Sequence, residues 1–214
     1  MTIESSQAYL PAAGRDWLLP FYDPIVKLLG GDAARKALVD QATLHPAQRV
    51  LEVGCGTGTL VIQIKQLYPQ TEVVGLDPDP KALTRAKHKA SRASVGIQFD
   101  HGFAGELPYP DASFHHVFSS FMFHHLPADE KRKMLCEVRR VLKPVGEFHM
   151  LDFEGPNDGN HGILSHLLHS NERLKDNSEA SVLRLMRQCG FGHANKTSRR
   201  TMLFGNAGYF RASI

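Results

Sequence analysis

The 214-residue sequence predicts an α/β fold, a doubly wound and mostly parallel sheet with an antiparallel element near its end. Three observations carry this prediction. Short apolar runs alternate with helical patterns of about 10–15 residues between Arg49 and Leu151, which is the pattern of βαβ units. The first run passes through glycines at alternate positions straight into a helix, a junction built for close approach of a ligand. The tail reads as strand, tight turn and strand, which would add an antiparallel edge.

The elements follow in order. The first forty-odd residues read as helical with breaks. Trp17, Leu18 and Phe21 are apolar, and Pro20 and Pro24 bend or restart the chain. Gly30-Gly31 stops the turns formed by Ile25, Val26, Leu28 and Leu29, and Asp32 is placed to cap a short helix through Val39. Val50, Leu51 and Val53 form the first strand. Leu60, Val61, Ile64 and Leu67 recur at helical spacing behind the glycine turn. Glu72 to Leu76 is the second strand, with β-branched Val73 and Val74. Pro80 to Ala93 is a helix with a basic outer face. Gly96–Phe99 and His116–Ser120 are the third and fourth strands. A helix begins near Pro127 with Asp129 and Glu130 in its first turn, where acids suit the helix dipole. It turns Met134, Leu135, Val138, Val141 and Leu142 inward and ends at Pro144, and Gly146–Leu151 is the fifth strand. Gly155–Asn177 is polar and reads as an insertion. Ser178 caps a last helix through Cys189, which Gly190 stops in a left-handed turn. Two strands, His193–Arg200 and Asn206–Arg211, meet at a turn at Gly205.

Composition removes several function classes. Hydrophobic residues make up 42% of the chain, enough for a sizeable core and too many for a disordered chain. The net charge of +3 is small and its basic residues are dispersed, which gives no argument for a nucleic-acid partner, and the absence of an Asn-Pro-Pro-Tyr-like tetrapeptide after the fourth strand, where Ser120-Phe121-Met122-Phe123 stands, makes one unexpected. No apolar run reaches the ~20 residues of a membrane span, and the first ten residues lack the order of a signal peptide. The expectation is a soluble cytoplasmic protein. The three cysteines, Cys55, Cys136 and Cys189, are odd in number and far apart, so neither a disulfide nor a zinc-knuckle framework is expected.

The chemistry concentrates in Val50-Leu51-Glu52-Val53-Gly54-Cys55-Gly56-Thr57-Gly58-Thr59. Its glycines let the backbone turn sharply, and the helix beyond offers unpaired N–H groups. Asp77 closes the second strand, where a carboxylate can accept hydrogen bonds from ribose hydroxyls. A dinucleotide fingerprint reads GxGxxG; here the spacing is GxGxG, with Thr59 where the last glycine would fall. Glu52 would be unfavourable beside a pyrophosphate and favourable beside a cationic amino acid. The combination favours S-adenosylmethionine over a nicotinamide cofactor. A P-loop is excluded, because no Gly-Lys-Ser/Thr follows the turn.

These residues resemble the class I S-adenosylmethionine-dependent methyltransferases, in the branch of the ubiquinone and menaquinone biosynthesis enzymes. The resemblance runs from Arg49 to Phe153. Its landmarks are Val50–Gly58, Gly75-Leu76-Asp77-Pro78-Asp79, Leu107-Pro108-Tyr109-Pro110-Asp111, Ser119–Leu126 and Arg139–Gly146. It implies a Rossmann-like seven-stranded sheet with an antiparallel last strand and helices on both faces. It also implies that Glu52, Gly54, Cys55, Gly56 and Gly58 surround the methionine part of the cofactor. Asp77 would hold the ribose, Pro78 would pack on the adenine, Phe103 and Ala104 would lie along the adenine edge, and Phe121 would border the methyl group. Tyr22-Asp23 is similar to a Tyr-Asp pair near the start of the quinone enzymes, so Tyr22 is expected to help close a lid with Trp17 and Phe21. The chain departs from the family at Phe103, where an Asp often bonds the adenine amino group, at Ser113-Phe114-His115 and at Pro144-Val145-Gly146.

Candidates for catalysis or metal binding are fewer. His124 and His125 follow the fourth strand, at the crevice of a doubly wound sheet, and either could serve as a general base. Cys55 reads as a small residue tolerated between glycines rather than a nucleophile. His149 reads as a strand residue, and His161, His166 and His169 lack a metal-binding signature, so no metal is expected. The expected organisation is a single domain over 1–214: a helical cap at 1–45, a cofactor core at 46–154, then the insertion, last helix and edge strands at 155–214. The expected activity is in-line methyl transfer from S-adenosylmethionine to a small-molecule acceptor. The alternatives are a non-catalytic S-adenosylmethionine-binding regulator and an NAD(P)-dependent oxidoreductase.

Overall fold

The computed structural model describes residues 30–155, 176–202 and 205–214. Tyr22, Trp17, Phe21, His161, His166 and His169 lie outside them, as do residues 1–29 of the expected cap and most of the expected insertion.

Seven strands form one sheet: β1 (Arg49–Val53), β2 (Glu72–Asp77), β3 (Gln98–His101), β4 (Phe114–Ser120), β5 (Leu142–Phe153), β6 (His193–Met202) and β7 (Gly205–Ser213). Their order is β3-β2-β1-β4-β5-β7-β6. The first five are mutually parallel, and β7 runs antiparallel to both β5 and β6. The last strand is therefore inside the sheet, between β5 and β6, and β6 is the edge. The sequence order alone suggested an edge hairpin; the extra pairing to β5 buries Tyr209 and Phe210.

Helices α1 (Gly31–Asp40), α2 (Thr59–Leu67), α3 (Pro80–Arg92), α4 (Ala128–Val141) and α5 (Glu179–Gln188) accompany the sheet. Two apolar cores result. One packs Leu51, Val117, Phe148 and Met150 against α4 and α5. The other packs Val50, Phe118, Leu151 and Tyr209 against α1 and α2. Strands that are buried on both faces read as near-continuous apolar runs, as β1 does.

Several local expectations are corrected. Asp32 does not cap α1: Gly30 is the N-cap in a left-handed turn and no side chain caps it. Leu67 is 48% exposed, at the last position of α2, where the Tyr68 N–H closes the helix on the Ile64 carbonyl at 2.8 Å. Asp79 caps α3 by accepting from the Lys81 N–H at 2.8 Å. The fifth strand starts at Leu142, four residues before Gly146, and Pro144 lies within it, next to a register break between β4 and β5 where a lost ladder bond costs little. The last helix matches its expected caps, with Ser178 accepting from the Ser181 N–H and Gly190 left-handed.

Cysteine pairing is the larger correction. Cys136 on α4 and Cys189 at the end of α5 are joined in a disulfide, with Cα atoms 4.8 Å apart. Sequence spacing said nothing here, because helix packing, not chain proximity, brings the two residues together.

Candidate functional site

The carboxyl ends of β1, β2, β4 and β5 converge, as the crevice of a doubly wound sheet requires. Gly54, Gly56 and Gly58 all have positive φ, at 74°, 52° and 77°. Their reasons differ. A Cβ on Gly54 would lie 2.3 Å from the Met122 Cγ, so the loop packs tightly against the segment after β4. A Cβ on Gly56 would meet nothing within 4 Å. The backbone at Gly56 therefore faces open space, as a ligand-binding turn needs.

Asp77 fixes this loop. Its Oδ2 accepts from the Gly56 N–H at 2.7 Å and its Oδ1 from the Asp79 N–H at 2.9 Å. Burial raises its pKa above the usual carboxylate value, against those two bonds. Lys89 of α3 reaches the loop's hydroxyls, at 3.2 Å from the Thr57 Oγ1 and 2.8 Å from the Thr59 Oγ1.

Glu52 lies beneath the loop and is 1% exposed. Its Oε1 accepts from the Ser120 hydroxyl at 2.8 Å, and that oxygen in turn accepts from the Arg35 Nε at 3.4 Å. Its Oε2 is buried with no hydrogen-bond partner. Burial pushes the Glu52 carboxyl up to about 8, although Ser120 and Arg35 pull it the other way. Arg35 also stands 5.3 Å from the centre of the Phe121 ring. Phe121 is a non-glycine residue at φ 54°, anchored by its N–H to the Leu151 carbonyl at 2.8 Å. Backbone held in that region costs on the order of 1–3 kcal/mol and clusters at functional sites.

Beyond Phe121, a short 3₁₀ turn (Phe123–His125) carries both candidate histidines. His124 is 3% exposed, and its Nδ1 lies 2.6 Å from the Asp152 Oδ1 at the end of β5. The His124 N–H also donates to the Asp152 Oδ2 at 3.3 Å. Burial would raise the Asp152 pKa, but the neighbouring His124 holds it below the ordinary value. His125 lies against His124 with its ring tilted by 38° and the ring centres 4.0 Å apart.

The remaining expected residues fall around this frame. Cys55 is a buried free thiol packed behind Gly75, and burial pushes its pKa well up, the opposite of what a nucleophile needs. Pro78 offers its carbonyl to His101 Nε2 at 3.1 Å. Phe103 is half-buried, meets His101 edge-on at 6.1 Å and bridges to Glu106, and Ala104 packs on the core beside it. Arg35, Ser120 and Met122 were not expected. Ser120 and Met122 lie in the Ser119–Leu126 landmark without a role of their own there, Arg35 lies in none, and the pairing of Glu52 with Phe118 across β1 and β4 brings Ser120 within reach of the carboxylate.

Comparison with known proteins bears on this geometry. Residues 50–146 match the family described as Methyltransferase domain. The chain is 38% identical over 153 residues to a demethylmenaquinone methyltransferase of Deinococcus radiodurans, an alignment covering 70% of this chain and 63% of that protein. It is 35% identical over 150 residues to a demethylmenaquinone methyltransferase of Thermus thermophilus, covering 69% and 67%. The chain thus spans about two thirds of the length of these relatives. In fold it is similar to the crystal structure of a SAM-dependent methyltransferase from Aquifex aeolicus, with a TM-score of 0.65, 18% identity, and coverage of 83% and 88%.

Proposed function

Because the chain belongs to the class I S-adenosylmethionine-dependent methyltransferases, in the menaquinone and ubiquinone branch, we propose that it methylates a small quinol-type acceptor at the carboxyl ends of β4 and β5. Its cofactor is S-adenosylmethionine, which supplies an electrophilic methyl group on a sulfonium. The residues fit that cofactor. Glu52 presents a buried, unpartnered oxygen suited to a cationic amino acid, and Gly56 leaves open backbone beside it. In this reading Glu52, Gly54, Cys55, Gly56 and Gly58 hold the methionine part, with Tyr22 closing over it. Asp77 holds the ribose through its remaining lone pairs, Pro78, Phe103 and Ala104 line the adenine, and Phe121 borders the methyl group. Comparison with known proteins lends no support to a nicotinamide cofactor.

The observation that carries the catalytic part is the His124–Asp152 pair. Asp152 holds the Nδ1 side of the His124 ring, which sets its tautomer and casts the Nε2 side as the proton acceptor. A quinol hydroxyl that loses its proton to His124 becomes a stronger nucleophile, and the imidazolium so formed is stabilised by the buried carboxylate. Positioning the acceptor and excluding water supply the rest. A cytoplasmic location and a small-molecule acceptor belong to the same proposal. Among the described residues, no helix is long and apolar enough to cross a membrane.

The test is S-adenosylhomocysteine formation with a demethylated naphthoquinol. Turnover is expected, with kcat falling by about 10²–10⁴ in His124→Gln and cofactor affinity unchanged. Unchanged kcat in that variant refutes the base. Turnover only on unrelated acceptors refutes the quinol. Cofactor binding without turnover on any acceptor moves the non-catalytic reading to first place.

A further inference from the structure

We propose that His116, Glu147 and His149 form a site for a zinc-class divalent ion, at the end of the sheet opposite the glycine loop. The three residues share one face. His116 on β4 pairs with Glu147 on β5, and Glu147 and His149 are two residues apart on that strand. Their ligand atoms, His116 Nδ1, His149 Nε2 and one Glu147 carboxylate oxygen, all lie within 4.8 Å of one another.

Two of the three spacings are those of a coordination shell, and the third, from His116 to Glu147, is within 4.8 Å and closes as the ion draws the ligands in. Tetrahedral bonds of about 2.0–2.1 Å set ligand atoms about 3.3–3.4 Å apart. His116 Nδ1 lies 3.3 Å from His149 Nε2, and His149 Nε2 lies 3.4 Å from Glu147 Oε2. Glu147 is oriented for this role. Arg211 of β7 bonds its other oxygen, Oε1, through Nε at 3.1 Å and through Nη2, so Oε2 is turned toward His149. A carboxylate held by an outer partner in this way is the usual support of a metal ligand. Both imidazoles are held by packing as well. His149 is fully buried and stacks on Phe118, with ring centres 4.9 Å apart, and His116 is 5% exposed. Glu147 is half-buried, which leaves water for a fourth position.

The competing account is a hydrogen-bonded cluster without an ion. There, one N–H on His149 Nε2 has two acceptors to serve, His116 Nδ1 and Glu147 Oε2, and satisfies one at a time. An ion satisfies all three lone pairs together. It requires the His149 proton on Nδ1, which has no hydrogen-bond partner. A missing outer partner typically costs 10–100-fold in metal affinity, so the site is expected to bind zinc in the micromolar range rather than more tightly. Its role would be structural, pinning β4 to β5 beside the register break that follows Phe114.

The test uses the 214-residue chain, stripped with a chelator. Zinc is titrated by calorimetry, and cobalt(II) is followed by visible absorption. Expected are one ion per chain, a tetrahedral cobalt spectrum and a rise in melting temperature with zinc. Glu147→Gln and His149→Gln should each lower affinity about tenfold or more, while His88→Gln, on the exposed face of α3, should leave it unchanged. Glu147→Gln keeps the test decisive if His149→Gln does not fold. No saturation by about 100 µM zinc, which sets the Kd above that concentration, overturns the proposal. So does equal affinity in wild type and Glu147→Gln, because the ion would then lie elsewhere.

Discussion

Glu52 makes cofactor binding a proton-coupled event. Its carboxyl, pushed up to about 8 by burial, is mostly protonated at neutral pH in the free protein. A cationic cofactor beside it favours the carboxylate, so binding should expel the proton. At pH 7 a group of that pKa is about nine-tenths protonated, so about 0.9 proton should leave per cofactor bound. The ionised fraction grows from about 0.01 at pH 6 to about 0.5 at pH 8, so affinity should rise about fifty-fold over that range from this group alone. The cofactor's own amino group titrates nearby, with a reference value of about 7.7–8.0, and Glu52→Gln supplies the baseline that removes its contribution. The assay is calorimetry of S-adenosylmethionine binding at pH 7 in buffers of different ionisation enthalpy. The sign for stability is separate. The folded protein keeps a proton that the unfolded chain has lost, so stability of the free protein falls as pH rises from 4.5 to about 8 and levels off above. The slope is at most about 1.4 kcal/mol per pH unit, and Glu52→Gln should flatten it. Equal proton release in wild type and Glu52→Gln would refute the reasoning.

Other expectations follow from the same site and fold. Gly54→Ala should destabilise the fold by about 2–4 kcal/mol in denaturant melts, since its Cβ would meet Met122 at 2.3 Å in a left-handed backbone. Gly56→Ala should cost only about 1–2 kcal/mol of stability, yet weaken cofactor binding about tenfold or more by filling open space; unchanged affinity would show that the ligand approaches elsewhere. Reducing the Cys136–Cys189 bond, which closes a loop of 53 residues, should lower stability by up to about 4 kcal/mol, measured by melts with and without reductant. Thiol counting on protein from unreduced extract shows whether the pair is oxidised in the cell. Asp152→Asn should lower kcat with the quinol acceptor and move the acid limb of its pH profile, with cofactor affinity held; an unmoved profile would leave Asp152 a packing residue.

What could be read from the chain was what neighbouring residues decide together. The glycine turn, Asp77 at the end of β2, the Ser178 cap and the Gly190 stop are each fixed within a few positions, and the structure has them where the spacing put them. Contacts between distant segments were not legible. Arg35 reaches Ser120 across 85 residues, and Cys136 meets Cys189 because α4 packs on α5. The polarity of β6, whose positions are all exposed or half-buried, marks it as the edge strand, but the sequence order of the tail did not show that β7 inserts between it and β5.

One register accounts for much of the rest. β4 and β5 pair with Val117 opposite Phe148 and Ser120 opposite Leu151. That alignment ends the two strands nearly flush, which brings His124 over Asp152 at one end and sets His116 beside Glu147 and His149 at the other. A slip of one residue would turn every β5 side chain to the opposite face. Asp152 would then face α1 and α2, while Glu147 and His149 would turn away from His116 toward α4. The core forbids this slip, because Phe148 and Met150 are fully buried against α4 and α5, and Leu151 against α1 and α2. Hydrophobic burial along β5 thus holds both polar clusters in place, although neither has any motif of its own in the sequence. A substitution that weakens that burial, such as Met150→Ala at a cost of about 2–5 kcal/mol, should loosen both ends together. Metal affinity and quinol turnover would then fall in parallel.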